Sequence, residues 1–234
     1  MARPRTPLLS RERIVTAALA LVDAEGLEAL STRRLATELS VSGPSLYNHF
    51  GTKDELLDAV ADSVVGEVDL SMFAGDPAHW RTALRDWAGS YRAALAAHPH
   101  IVPVLAQGPG RRPHALKLAD AVFGCLVEAG WPRGQATRIG ALMRYFVTGS
   151  ALGSFAAGFP VDAGVYGSEY PHLADAHRLA EQRDRVDAAA FELGVESLLD
   201  GLALRYAEAG YRPAAGYQGE RATNAGRSEG STGS

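Results

Sequence analysis

The fold is decided by residues 27–57, LEALSTRRLATELSVSGPSLYNHFGTKDELL. This stretch predicts two short helices joined by a tight turn, followed by the capped start of a third, longer helix. The first short helix begins near Thr32, a good N-cap because its hydroxyl can accept from a free amide of the first turn. Ser42 is expected to cap the second short helix. Pro44 is tolerated in its first turn, because amides there donate to no carbonyl of the helix and no intrahelical hydrogen bond is lost. Residues 52–55, TKDE, then spell a capping box for the long helix.

Apolar residues recur at helical spacing on both sides of this stretch. Upstream, Ile14, Ala18 and Val22 predict a helix that Gly26 ends. Downstream, residues 71–77, SMFAGDP, interrupt the pattern and mark a domain boundary. Beyond them every strong signal is helical, without an alternating strand pattern or an internal repeat. One stripe consists of Trp80, Leu84, Trp87, Tyr91 and Leu95, and the last of Phe191, Val195, Leu198, Leu202 and Tyr206.

The second short helix carries Tyr47, Asn48 and His49 on a segment too short and too polar to exist for packing alone. A short polar helix braced by an apolar one is how many proteins present side chains to the major groove of double-stranded DNA. The alternative is a helix-turn-helix that serves only packing. We therefore expect residues 27–57 to bind DNA.

Composition and charge limit the other possibilities. The 234 residues are 47% hydrophobic, which predicts a globular protein with a substantial core. We expect no membrane span, because no run of about 18 apolar residues occurs. We expect a cytoplasmic protein, because a single cysteine fits a reducing compartment. The net charge is −4, yet residues 1–53 hold seven basic against five acidic groups, which suits phosphate contact at one end only. The single cysteine, Cys125, has apolar neighbours and is expected to be a buried structural thiol.

The motif Leu46-Tyr47-x-His49-Phe50-x-x-Lys53, followed by Glu55-Leu56-Leu57 and preceded by STRRLATELSVS, resembles the DNA-binding domain of the TetR family of transcriptional regulators. The resemblance implies an all-α protein. Residues 1–70 would form a three-helix helix-turn-helix DNA-binding domain, and residues 71–210 a helical effector-binding and dimerisation domain. The composition of residues 211–234 predicts a disordered tail.

The resemblance also implies which residues touch DNA. Thr32 resembles the residue that binds a phosphate through its hydroxyl and amide, and Arg33 lies where family members reach a base edge. Tyr47 and Lys53 resemble the family's phosphate clamps. Arg3 and Arg5 form a basic arm that either enters the minor groove or is merely solvated. The remaining candidates lie around the exposed face of the recognition helix: Ser42, Gly43, Pro44, Ser45, Asn48 and His49.

In this family the last two long helices form a four-helix bundle between subunits, so the resemblance implies a homodimer that reads a palindromic operator. Here those helices would be residues 138–157 and 187–209. Small residues at Gly194, Ser197 and Gly201 would permit close approach of helices.

The second domain further resembles the tetracycline-repressor branch, on WRTALRDWAGSYRAAL and FELGVESLLDGL. The positions implied for the metal chelate, however, hold Asp69, Leu105 and Gly153. We therefore expect no metal or cofactor, and a small-molecule effector that is apolar or aromatic. The alternative is that the aromatic residues of this domain are simply core. The candidate effector-binding residues are Trp87, Tyr91, Phe123, Met143 and Phe146.

Other chemistries lack support. The histidine pairs at 98 and 100 and at 172 and 177 have no helical i, i+4 spacing with a carboxylate, so solvated side chains are expected. No nucleophile elbow, phosphate-binding glycine loop or paired catalytic carboxylates occur, so an enzyme is not expected. The sequence predicts a ligand-responsive transcriptional repressor. A constitutive DNA-binding protein without an effector is the alternative, which the large acidic helical body disfavours.

Overall fold

The computed structural model describes residues 9–107 and 110–213, and within these ranges it contains helices and no strands. The predicted all-α class is confirmed. Arg3, Arg5 and residues 214–234 of the predicted tail lie outside the described residues. The α-helices are α1 (Arg11–Glu25), α2 (Thr32–Leu39), α3 (Gly43–Tyr47), α4 (Lys53–Gly66), α5 (Trp80–Ala97), α6 (Val102–Leu105), α7 (Pro113–Glu128), α8 (Arg133–Ser150) and α9 (Arg183–Glu208).

Side-chain caps fix the starts of the N-terminal helices. The N-cap of α2 is Ser31, whose hydroxyl accepts from the amide of Arg34 at 3.2 Å. The prediction of Thr32 as the cap was wrong by one residue, since Thr32 is the first helical residue. Thr52 caps α4 as predicted and accepts from the amide of Glu55 at 3.0 Å. The carboxylate of Glu55 accepts from the amide of Gly51 at 2.9 Å, so the capping box closes one residue further upstream than usual.

Helix α3 is a single short turn. Ser42 precedes it, but its hydroxyl lies 2.7 Å from the hydroxyl of Ser45 and caps no backbone amide. The helix ends at Tyr47, where the carbonyl of Leu46 accepts from the amides of both His49 and Phe50 and closes a tight turn. Upstream, Ser40 has a φ of 55°, a left-handed conformation that makes the turn between α2 and α3.

The body is built around α5, whose predicted stripe is entirely buried. Its first residue, Trp80, meets Trp131 edge to face at 5.5 Å, and the ring of Tyr206 lies 5.5 Å from that of Trp80. The hydroxyl of Tyr206 also donates to the carbonyl of Ala129. This cluster fastens the end of α9 to α5 and to the turn between α7 and α8.

Two helix contacts require glycine. A Cβ on Gly140 would lie 2.4 Å from the ring of Phe123, and one on Gly194 would lie 2.2 Å from the ring of Phe146. Real Cβ atoms do not approach so closely, so α7 packs on α8 and α8 packs on α9 only because these positions lack a side chain. Gly194 therefore serves packing within the chain, whereas the prediction assigned it to the contact between subunits.

Both of the last two helices begin and end earlier in the chain than the predicted bounds of 138–157 and 187–209. Helix α8 ends at Ser150, and residues 151–182 form a series of short 3₁₀ turns that the sequence predicted as part helix and part loop. Helix α9 begins at Arg183, four residues earlier than predicted. The segment in between carries small and polar residues without helical periodicity, so only its flanks could be assigned.

Helix α4 joins the N-terminal helices to the body. Asp62 is buried at 7% exposure and accepts from the amides of His114 at 3.2 Å and Ala115 at 3.1 Å. It thus caps α7 from a distant part of the chain, since Pro113 and Arg112 provide no side-chain cap. One turn earlier, the carboxylate of Asp58 accepts from Arg112 Nε at 2.9 Å and Nη2 at 2.6 Å.

Replacing Asp62 with alanine should lower the free energy of unfolding by about 1 to 2 kcal/mol, the usual cost of a lost N-cap. Urea denaturation measures the change. The control is Asp120→Ala, which removes an exposed carboxylate from the same α7 surface and should change the unfolding free energy little. Equal stability of the two variants would contradict the capping role of Asp62.

Helices α5 and α9 are also joined by charge. Arg85 Nη2 lies 2.9 Å from Glu196 Oε2, and Arg81 Nη2 lies 3.2 Å from the same oxygen. The hydrogen bond from Arg85, followed by that from Arg81, lowers the pKa of Glu196 from 4.5 to about 2. Because the pKa is lower in the folded state, this carboxylate contributes stability above pH 4.5, and the contribution is lost as the pH falls towards 2.

The stability difference between the parent protein and Glu196→Gln should therefore shrink as the pH is lowered from above 4.5 towards 2. Urea unfolding midpoints at a series of pH values measure the difference. Glu192→Gln, on the exposed side of the same helix, is the matched control and should show no such convergence. A difference that stays constant with pH would contradict the assignment.

Candidate nucleic-acid interface and internal cavity

One side of helix α3 packs on the N-terminal core, and the other side is exposed to solvent. Leu46 and Phe50 are buried at 3% and 5% exposure. Tyr47 is 56% exposed, and Asn48 is exposed beside it. Of the three polar side chains that the sequence singled out, Tyr47 and Asn48 therefore face solvent and His49 is partly exposed, while Leu46 and Phe50 hold the segment in place.

The other candidate DNA-contacting residues surround this helix. Thr32, at the start of α2, and Lys53, at the start of α4, border the same small crevice, so two helix N-termini come together there. Free amides and the positive end of the helix dipole make such a place favourable for phosphate. Arg33, Ser42, Pro44 and Lys53 are exposed, and Thr32, Gly43, Ser45 and His49 are partly exposed.

One arginine that the sequence did not reveal fixes the end of the recognition segment. The guanidinium of Arg11, at the start of α1, donates to the carbonyl of His49 and to Glu55 Oε1 at 3.1 Å. It also lies over the ring of Phe50, 4.0 Å from the centroid. The amide of Gly51 and Arg11 both lower the pKa of Glu55, so its carboxylate stays charged. Arg11 therefore positions the turn between α3 and α4.

The two adjacent arginines at the start of α2 have different surroundings. Arg34 Nη2 lies 2.7 Å from Glu25 Oε1 at the end of α1, and this hydrogen bond raises the pKa of Arg34. Arg33 is exposed on the same turn. Arg34 thus helps to hold α2 against α1, and Arg33 is the one available to a ligand.

A cavity of about 210 Å³ lies between α4, α5, α7 and α8. Trp87 and Tyr91 stack in its wall, with ring centroids 6.1 Å apart and planes 10° apart. The indole Nε1 of Trp87 is buried and has no hydrogen-bond partner. A buried donor without a partner costs free energy, so this nitrogen lowers the stability of the wall. The wall also includes Phe123, Leu105, Arg112 and Arg144.

The structure brings together three of the five candidate effector-binding residues, namely Trp87, Tyr91 and Phe123. Met143 is fully buried in the core and does not line this cavity. Phe146 also lies elsewhere, since its ring stacks on Phe191 at 5.6 Å. Both follow the helical period of α8, but that period cannot distinguish a wall residue from a core residue.

The positions implied for a metal chelate serve other purposes. The carboxylate of Asp69 accepts from the amide and the hydroxyl of Ser71, each at 2.8 Å. Leu105 lines the cavity with an apolar side chain, and Gly153 lies in an exposed turn. Among the described residues, no group of three histidine, cysteine, aspartate or glutamate side chains is arranged to hold a metal ion.

The prediction of solvated histidines was wrong for His98. Its side chain is only 15% exposed, with Nδ1 2.8 Å from Asp23 and Nε2 3.2 Å from Glu67. It links the end of α5 to α1 and α4, a contact between distant segments that local spacing cannot reveal. Cys125 is buried as predicted, and burial raises the pKa of its thiol to about 11.

Comparison with known proteins decides the family. Residues 14–60 match the family model described as bacterial regulatory proteins, tetR family, and residues 74–206 match the tetracyclin repressor-like C-terminal domain. The chain belongs to the TetR family of transcriptional regulators. Both matches lie within the predicted domains, whose exact limits at residues 70 and 210 stay a prediction.

Individual TetR relatives extend over most of the chain. The class A tetracycline repressor of Escherichia coli transposon 1721 is 34% identical over 203 residues, which cover 84% of this chain and 92% of the relative. An HTH-type transcriptional regulator of Saccharopolyspora erythraea is 33% identical over 204 residues, covering 84% and 86%. The crystal structure of Streptomyces coelicolor ActR in complex with actinorhodin superposes with a TM-score of 0.68 at 32% identity, covering 84% and 98%.

The protein is therefore a ligand-responsive transcriptional repressor of the TetR type, which binds DNA, acts as a dimer and is not an enzyme. Within the described part of the chain, no helix is long and apolar enough to cross a membrane. The effector's chemistry and the residues that contact DNA are not determined by family membership.

Replacing Tyr47 with alanine should weaken operator binding roughly tenfold, or about 1.4 kcal/mol, the scale of one hydrogen bond to a charged phosphate. The folded dimer should persist, because the side chain is mostly exposed. Gel-shift titration measures the affinity, and Tyr170→Ala, an exposed tyrosine in the segment after α8, is the control. If both variants bind DNA like the parent protein, Tyr47 has no part in the interface.

Proposed function

We propose that two copies of α3 read a palindromic operator in the cytoplasm, and that an apolar or aromatic effector in the cavity releases the DNA. Thr32, Tyr47 and Lys53 would bind phosphates and fix the register. Arg33 and Asn48 would reach base edges, since a guanidinium suits guanine and a carboxamide suits adenine. The observation that carries the proposal is the exposure of Tyr47 and Asn48 on a helix whose other side is buried.

The remaining residues of the proposed interface support this helix. Pro44 offers an apolar contact to a thymine methyl group, and His49 adds a polar side chain next to Asn48. Ser42, Gly43 and Ser45 are small, so the backbone of α3 can approach the DNA closely. Arg11 holds the end of this segment and acts through positioning only.

One half of the proposed dimer surface lies on α8. Leu142, Tyr145, Gly149 and Leu152 recur every three or four residues and so share one side of the helix or its continuation. The exposed fractions of the three large residues are 42%, 71% and 57%. A row of exposed apolar side chains is characteristic of an interaction surface.

The other half lies on α9, where Leu193, Ser197, Gly201 and Leu204 recur with the same helical spacing. The two leucines are 70% and 61% exposed, and the two small residues between them are exposed as well. Small residues flanked by leucines let two helices approach closely and interlock. Two helices from each subunit would thus form the four-helix bundle that the family relationship implies.

The proposed effector class follows from the cavity wall. Trp87, Tyr91 and Phe123 offer aromatic surfaces to a ligand. ActR, the similar protein from Streptomyces coelicolor, was crystallised in complex with actinorhodin. We propose no metal or cofactor for this site, because the described residues of its wall include no histidine, cysteine, aspartate or glutamate.

Helix α4 would carry the signal. It begins at Lys53, within the proposed DNA interface, and over its next two to three turns presents Asp58 and then Asp62 to the start of α7. Arg112, held by Asp58, and Val65 of α4 both line the cavity. An effector that binds better to one arrangement of α4 and α7 must shift the population of the other, which is all that allosteric release requires.

Selection of bound DNA from a random pool tests the proposal directly. The expected product is a palindrome whose half-sites lie about one helical turn apart, because a two-fold dimer presents two copies of α3 to successive major grooves. A recovered sequence without two-fold symmetry would refute the paired reading by α3.

The dimer surface can be tested separately with Leu204→Glu. A charge in the proposed bundle should convert the dimer to a monomer and weaken operator binding more than about tenfold, since both half-sites must be held at once. Sedimentation equilibrium measures the mass, and circular dichroism checks that the protomer remains helical. Val161→Glu, at a position that is 70% exposed outside this surface, is the control. A Leu204→Glu protein that remains dimeric would exclude this face of α9.

A further inference from the structure

We infer that the effector carries an anionic oxygen group, such as a carboxylate, on its aromatic body, and that Arg144 and Arg112 in the cavity wall bind that group. This inference rests on the proposed function of the cavity and goes further, because it selects one charge class of ligand. The two arginines in the wall, and not the volume of the cavity alone, determine the charge class of the ligand.

Arg144 is a cation without a carboxylate partner among the described residues. Its Nη2 donates to the carbonyls of Leu105 at 2.6 Å and Gln107 at 2.7 Å, at the end of α6. Carbonyl oxygens satisfy hydrogen bonds but leave the positive charge unneutralised. The side chain is half-buried and lines an otherwise largely apolar cavity, where water screens the charge less than in bulk solvent.

Arg112 is only partly used by its partner. The residue is 6% exposed, and its two hydrogen bonds, from Nε and Nη2, go to a single oxygen of Asp58. A guanidinium has five N–H donors, and among the described residues the Nη1 group of Arg112 has no hydrogen-bond partner, so we assign it to the ligand. The Asp58 side chain is 58% exposed and thus shares its charge with solvent.

No acidic residue stands opposite these two arginines in the wall, as far as the described residues go. A cationic ligand would meet the charge of Arg144, which has no carboxylate partner among the described residues, and gain only the distant Asp58 that already pairs with Arg112, which is unfavourable in a poorly screened site. A pure hydrocarbon would remove water from the guanidinium of Arg144 without forming a hydrogen bond to replace it, which costs free energy. A carboxylate avoids the charge repulsion and replaces the lost hydration, because guanidinium and carboxylate form strong charge-assisted hydrogen bonds.

The rest of the wall selects the body of the ligand. The rings of Trp87, Tyr91 and Phe123 favour a flat aromatic group. A dry cavity of roughly 150 Å³ is known to hold benzene. The volume of about 210 Å³ here therefore suits a substituted ring or two fused rings.

Three probes with the same naphthalene body separate charge from shape: naphthalene-2-carboxylate, naphthalene-2-carboxamide and 2-naphthylmethylammonium. Isothermal titration calorimetry of the full-length dimer measures each affinity. The carboxylate should bind at millimolar concentration or below and about tenfold more tightly than the carboxamide, a difference of about 1.4 kcal/mol. The ammonium compound should give no saturable binding.

The variant Arg144→Gln should bring the affinity for the carboxylate down about tenfold, to the level of the carboxamide, and leave the carboxamide affinity unchanged. Arg144→Lys keeps the charge and should restore most of the preference. Arg138→Gln is the matched control, since Arg138 lies exposed on the same helix and does not line the cavity. The probe comparison on the parent protein decides the question even where a variant fails to fold.

Equal affinities for the three probes, or no binding of the carboxylate at millimolar concentration, would overturn the inference. So would an Arg144→Gln protein that still prefers the carboxylate as strongly as the parent. Gel shifts on the selected operator provide a separate readout. A carboxylate that binds with the expected preference but releases no DNA supports the inference and counts against the proposed role of the cavity in release.

Discussion

The attachment of α4 to the start of α7 is the constraint on which the rest of the molecule depends. Asp62 supplies the cap that α7 lacks locally, and Asp58 holds Arg112 one turn away. Both carboxylates come from the helix that follows the recognition segment. These two neighbouring contacts thus join the helix that follows the recognition segment to α7, which lines the cavity.

A second set of contacts gives the exposed helix its orientation. α3 is one turn long and cannot be stable by its own hydrogen bonds. The buried side chains of Leu46 and Phe50 anchor it to the N-terminal core. The guanidinium of Arg11, from α1, donates to the carbonyl of His49 just after the helix. The polar side chains that face solvent are therefore presented by buried neighbours and by one guanidinium, as a preformed surface that does not need DNA to order it.

The sequence was most informative where the signal was local. Helix periodicity, the cap at Thr52 and the buried stripe of α5 could all be predicted, since each depends on residues within a few turns. Arg11, His98 and Asp62 could not, because their partners lie about 31 to 75 residues away and no spacing rule connects them. The same limit explains Met143 and Phe146: periodicity indicates which side of α8 is buried, but not whether that side meets a cavity or a neighbouring helix.

The wall of the cavity is drawn largely from α5, α7 and α8, whereas the residues proposed to read DNA belong to α2, α3 and the first turn of α4. Small wall residues such as Thr137 and Ala141 belong to α8, which contributes none of the residues proposed to read DNA. During evolution, substitutions in the cavity wall can thus change which effector is bound while the operator sequence that is recognised stays the same. The condition is that the carboxylates of α4 keep their contacts with α7.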